Sequence, residues 1–195
     1  MSRKEDILNA ATILFSQKGF RDTSSTELAR ATGVAEGTVF YHYKNKEELF
    51  LAILKQVRED IISEFEGYIE KKEFESGLDM IESAVSFYMY LSVKMEHQFL
   101  LLHRHYPYEL AEKNLKCREH LEAIYNCMVD IFEQAVLLGQ KDGSIECRHT
   151  RKTALIIFSM VDGIVKFKIY NLYDAGALFN ELIETCRKIL KPVRS

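Results

Sequence analysis

The chain has 195 residues, 47% hydrophobic and 28% charged with two prolines, which excludes a mainly disordered chain and leaves room for one large domain or a small module on a larger one. A formal net charge of -3 argues against coating nucleic acid through bulk charge, yet residues 1–46 carry seven Lys/Arg against five Asp/Glu while residues 47–195 carry nineteen against twenty-four. A small basic head thus sits on an acidic body. No stretch approaches the roughly 20 apolar residues of a membrane helix, and the charged start Met1-Ser-Arg-Lys-Glu-Asp is no signal peptide, so a cytoplasmic protein without membrane contact is expected. Cys117, Cys127, Cys147 and Cys186 are far apart and form no C-x-x-C pair, which suits reduced thiols better than a disulfide or zinc set.

Apolar residues recur at helical spacing almost throughout, with no period-two run that would mark a strand, so the fold is predicted to be all-α. Ile7, Ala11 and Leu14 stripe a first helix over residues 3–18, which Gly19 ends in a left-handed cap. Ser24 with Glu27 three residues on reads as a capping box for a second helix, 25–32. Gly33 stops it after two turns, Val34-Ala35 leads into a third segment, 36–43, and the pair reads as a helix-turn-helix. A long fourth helix follows from Leu49 to Ile69 and joins head to body. Further helices are predicted over 76–94, 96–106, 109–139, 149–173 and 175–190, with Pro107 taken as one break, giving nine in all.

The segment Gly19-Phe-Arg-Asp-Thr-Ser-Ser-Thr-Glu-Leu-Ala-Arg-Ala-Thr-Gly-Val-Ala-Glu-Gly-Thr-Val-Phe-Tyr-His-Tyr-Lys-Asn-Lys-Glu-Glu-Leu49 closely resembles the N-terminal domain of TetR-family transcriptional regulators. The resemblance runs from about Ile7 to Leu49; the remainder shares only helix number and features such as Asp162-Gly163 in a late apolar helix. It implies a three-helix DNA-binding domain over 1–46 and an effector-binding and dimerisation domain over 47–195.

The residues themselves suit that reading. A recognition helix entering a major groove needs a small, polar leading face, which Ala35, Glu36, Gly37 and Thr38 supply. Tyr41, His42 and Lys46 can hold phosphates, and Ser24, Ser25 and Thr26 open the second helix as phosphate clamps. Leu28, Ala29, Val34, Val39 and Phe40 are expected as core, and Tyr43 as packed on the first helix. Phe40 replaces the tyrosine common in the family, so a phosphate bond made there by relatives should be missing.

In the body, Phe87, Tyr90, Leu91, Phe99, His103, Tyr125, Met128, Phe132 and Phe158 are the candidates for a cavity suited to a mostly apolar effector. Leu155, Val161, Ile164, Leu178, Leu182, Ile183 and Cys186 give the last two helices more apolar surface than one core needs, and the resemblance implies that they pair with a second copy. His97, His103 and His105 lack the spacing of a metal set, and no phosphate loop, nucleophile elbow or H-E-x-x-H occurs, so neither metal, cofactor nor catalysis is expected. The functional expectation is a homodimeric repressor on a palindromic operator, released by a small apolar effector. An activator or partner-recruiting regulator with the same head is the alternative, and a helical enzyme with a vestigial head a third reading.

Overall fold

The computed structural model describes residues 2–190. Among them the chain forms ten helices: α1 (Arg3–Gln17), α2 (Ser25–Thr32), α3 (Glu36–His42), α4 (Lys46–Ile69), α5 (Gly77–Lys94), α6 (Glu96–Leu102), α7 (Tyr106–Lys113), α8 (Leu115–Asp142), α9 (Thr150–Ile169) and α10 (Phe179–Leu190). The tenth arises where the sequence places a break at Pro107. Proline lacks an N–H and has its φ fixed, which suits the first turn of a helix, and Pro107 lies in the first turn of α7. One break falls just ahead of it, over residues 103–105, and a second at Asn114. Its extended backbone (φ -126°, ψ 106°) closes α7, and its side-chain oxygen accepts from the Cys117 N–H at 3.1 Å to open α8.

Two compact units result, Met1–Asp60 with Met95–Ile124 and Ile61–Lys94 with Tyr125–Ser195. The first therefore contains α6, α7 and parts of α4 and α8 besides the three leading helices. Its core gathers Ile7, Ala11, Phe15, Leu28, Val39, Leu49, Phe50 and Phe99, all essentially sealed from solvent. Phe20 stacks on Tyr106 at 4.0 Å, and both rings meet Phe50 edge-on at 5.6 and 5.1 Å. In the second unit α5 packs on α9 and α10, around Phe87, Tyr88, Phe132, Ile157, Phe158 and Val161.

The helix ends follow local chemistry. Gly19 and Gly33 both adopt positive φ, 96° and 66°, as terminating glycines should. Ser24 and Glu27 form both bonds of the capping box, the Glu27 N–H donating to Ser24 Oγ at 3.2 Å and the Ser24 N–H to the Glu27 carboxylate at 2.8 Å. Ser2 and Glu5 make a second box at the start of α1.

Among the described residues no helix is long and apolar enough to cross a membrane, and no group of three His, Cys, Asp or Glu side chains could hold a metal ion. The cysteines are free thiols, and burial pushes Cys117 and Cys186 up to about 11, so both stay protonated at neutral pH.

Candidate functional site

The helix pair owes its angle to one backbone position. Gly33 caps α2 in the left-handed region (φ 66°, ψ 22°), and the Val34 N–H reaches back to the Ala29 carbonyl at 3.1 Å. A residue with a Cβ would resist that conformation. Inward, Val39 and Tyr43 anchor α3, with exposures of 1% and 4%, and the Tyr43 hydroxyl donates to the Lys4 carbonyl of α1 at 3.3 Å. Outward, Ala35, Glu36 and Gly37 are exposed, Thr38 and His42 are half-buried, and Tyr41 is 84% exposed. The structure thus presents these six candidates along one short helix and its cap. Phe40, expected in the core, is exposed instead, and Val34 is half-buried. In a helix of seven residues Val39 and Tyr43, four apart, take the inward face, and Phe40 lies about 100° round from Val39.

Ser24 and Thr26 are exposed at the head of α2 and Ser25 is half-buried. Here the capping carboxylate would oppose a phosphate, but Lys18 forms an ion pair with Glu27 that offsets it. These bonds hold the Glu27 carboxyl down at about 2, against an ordinary 4.5, with the Lys18 hydrogen bond the largest cause and those from Ser24 next. A depressed folded pKa stabilises above the unfolded value and loses that contribution as pH falls through the folded one. Glu27→Gln should therefore lower the urea midpoint at pH 7 and match the wild type near pH 2, as denaturation followed by circular dichroism would show. Ser24→Ala should cost about 1 kcal/mol at pH 7.

Lys46 has a second role. Its ammonium donates to the Thr23 carbonyl at 2.6 Å and lies 4.6 Å from the Phe20 ring centroid, and burial lowers its pKa. It fastens the loop between α1 and α2 to the start of α4. Equally unannounced by the sequence is Arg104, just after α6. Its Nε and Nη2 donate to the Ser16 carbonyl at 3.0 and 2.7 Å, and Nη2 also to that of Gln17 at 2.8 Å, so a guanidinium covers the open carbonyls at the end of α1. His97 Nδ1 lies 3.2 Å from Ser16 Oγ, and Arg21 pairs with Glu109. The head is held by α6 and α7 as well as by α4.

The effector candidates divide between the units. Phe99 and His103 belong to the first, where Phe99 is fully buried and His103 Nδ1 lies 2.8 Å from the Phe99 carbonyl one turn back. The other seven belong to the second. There Phe158 is the hub: Tyr88 meets it edge-on at 5.6 Å, Tyr125 at 6.1 Å, and Phe132 lies at 6.3 Å. Phe87, Leu91 and Met128 are buried, whereas Tyr90 is 53% exposed and faces away from that core. Beside these rings the Tyr88 hydroxyl donates to Asp162 at 2.6 Å.

The dimer candidates divide by exposure. Val161, Leu182, Ile183 and Cys186 are buried inside the protomer, because α9 and α10 turn those residues toward α5 and toward each other. Ile164 is half-buried, and Leu155 and Leu178 are exposed. With the candidates Leu155 and Leu178, the apolar residues Ile156, Phe167 and Ile189 are also exposed along these two helices, the five between 38% and 56%.

Residues 7–53 match the family model described as bacterial regulatory proteins, tetR family. The chain is 25% identical over 181 residues to the fatty acid metabolism regulator protein of Bacillus subtilis, covering 91% of this chain and 90% of that protein. In structure it is similar to the Bacillus subtilis regulator FadR in complex with stearoyl-CoA, with a TM-score of 0.76 at 22% identity, covering 95% and 98% of the two chains. A Saccharomonospora viridis protein in complex with choline superposes with a TM-score of 0.83 at 14% identity over 97% of each chain. Members of the family bind operator DNA and small-molecule effectors and act as dimers. With its glycine-turned helix pair and these likenesses, residues 7–53 carry the DNA-binding head of the tetR family of bacterial regulatory proteins, and the all-helical fold of the whole chain is similar to that of solved transcriptional regulators.

Proposed function

We propose that the protein is a dimeric repressor whose residues 1–46 read a palindromic operator and whose residues 47–195 bind a long-chain acyl effector that releases it. The observation that carries the DNA reading is the exposed face of α3 from Ala35 to Tyr41, mounted on buried Val39 and Tyr43. In this reading Thr38 reads a base edge or thymine methyl, and Tyr41 and His42 hold phosphates. For the effector, support comes from the aromatic interior around Phe158, which carries the Tyr88–Asp162 hydrogen bond, and from the likeness to a fatty acid regulator.

Release needs an effector that prefers the conformation unable to bind operator. A hundredfold preference corresponds to about 2.7 kcal/mol of coupling, and operator must then weaken effector binding by the same factor. In this reading a displacement reaches the head through α4, which runs continuously from the first unit into the second.

Selection from random duplexes tests the DNA reading. It should enrich an inverted repeat whose half-sites lie about one helical turn, roughly 34 Å, apart or somewhat more. Thr38→Ala should change the preferred sequence, whereas Tyr41→Phe should weaken all sequences alike. The absence of any enriched motif, with and without acyl compounds, would overturn the proposal.

A further inference from the structure

An open groove of about 670 Å³ runs over the second unit where the end of α4 faces α5, outside the aromatic interior. Its lining carries three lysines, Lys71, Lys72 and Lys94, against one carboxylate, Glu64. Lys94 is paired with Glu64 at 2.7 Å. Lys72 is held by neutral groups, donating at 2.9 Å to the Tyr68 hydroxyl and at 2.9 Å to Ser83 Oγ. The side chain of Lys71 is exposed. The lining therefore keeps two positive charges unmatched by its own carboxylate, on a body where acidic residues outnumber basic ones.

Aromatic faces accompany that charge. Tyr90 is 53% exposed with the Lys94 ammonium 5.8 Å from its centroid, and Lys72 lies 4.9 Å from that of Tyr68. Phe87 is also in the lining, and its otherwise buried ring packs on Phe65 at 5.4 Å and Tyr68 at 5.0 Å, so the groove has an apolar wall. Gly67 sits in the wall, and a Cβ there would meet nothing within 4 Å. Glycine inside a helix costs about 1 kcal/mol relative to alanine, and no neighbour requires it here. What its missing side chain leaves is room in the groove.

A fatty carboxylate alone would need one cation. Two unmatched lysines beside exposed ring faces, in a space the size of a ligand pocket, suit a larger head carrying phosphates and a planar base. We propose that this groove binds the nucleotide head of an acyl-coenzyme A thioester, with the acyl chain entering past Phe87. The inference rests on the acyl-effector reading above.

Calorimetry with stearoyl-CoA, free coenzyme A and stearate tests it on the intact protein, with operator release followed in parallel. Stearoyl-CoA should bind at least about tenfold more tightly than stearate, in a salt-sensitive way, and coenzyme A should compete for it. Lys71→Glu and Tyr90→Ala, both at exposed positions, should weaken stearoyl-CoA about tenfold and leave stearate unchanged. Gly67→Met, whose Cβ would meet nothing within 4 Å and whose longer side chain would occupy the groove, should do the same in a protein of unaltered helicity. Equal affinity for stearoyl-CoA and stearate, or variants that leave stearoyl-CoA binding intact, would overturn the groove assignment while release by stearate kept the acyl reading. Binding of stearoyl-CoA sensitive to Lys71→Glu but without operator release would keep the groove and overturn the release. No binding of either compound would overturn both.

Discussion

Replacing Gly77 by alanine should destabilise the protein by about 3 kcal/mol, at the upper end of what one added methyl does in a packed interior. A Cβ built on Gly77 lies 1.9 Å from the Gly139 nitrogen, 2.2 Å from its Cα and 2.6 Å from the Ala135 carbonyl oxygen. These are backbone atoms of α8, which no rotamer change can move aside. Nor can α5 retreat freely. The Gly77 N–H donates to Asp142 Oδ2 at 2.7 Å and the Leu78 N–H to Ser144 Oγ at 3.2 Å, so the first turn of α5 is capped by the end of α8, and withdrawal would strand those donors. Gly67→Ala is the matched control: with nothing near its Cβ it should stabilise by up to about 1 kcal/mol. Urea unfolding of both variants decides the matter, and equal midpoints would refute the steric argument.

The head could be read from sequence because its determinants are local. A capping box acts across three residues, a glycine cap at one, and the inward spacing of Val39 and Tyr43 across a single turn. Asn114 shows where local reading falters. A side chain that closes one helix and opens the next carries no apolar signal, and Pro107 drew the break to itself although proline also begins helices. The groups that tie the head down were out of reach for another reason: Arg104 acts on carbonyls 87 and 88 residues away in sequence. Apolar periodicity also fails to tell one buried face from two. On α9, Ile157, Val161 and Val165 turn inward while Leu155, Ile156 and Phe167 turn outward, and every one of these residues is apolar.

That two-faced helix gives the second large effect. Ile156→Arg should convert the dimer to a monomer without unfolding the chain, because Ile156 is 56% exposed in the protomer and an arginine there stays solvated. In an assembled interface the same guanidinium would be buried without a partner, at a cost of about 3 kcal/mol or more. Val161→Arg is the contrast, since Val161 is fully buried within the protomer and a charge there should abolish folding altogether. Sedimentation at micromolar concentration separates the two outcomes, with circular dichroism reporting the fold. Operator affinity should fall with the dimer. Once one head is seated, the second in an intact dimer sees its half-site at a high effective concentration, and losing that advantage costs on the order of a hundredfold or more. The monomer should retain weak, salt-sensitive binding to a single half-site, because its recognition helix is untouched. An Ile156→Arg protein that still sediments as a dimer and binds full operator normally would place the interface elsewhere than the outer face of α9 and α10.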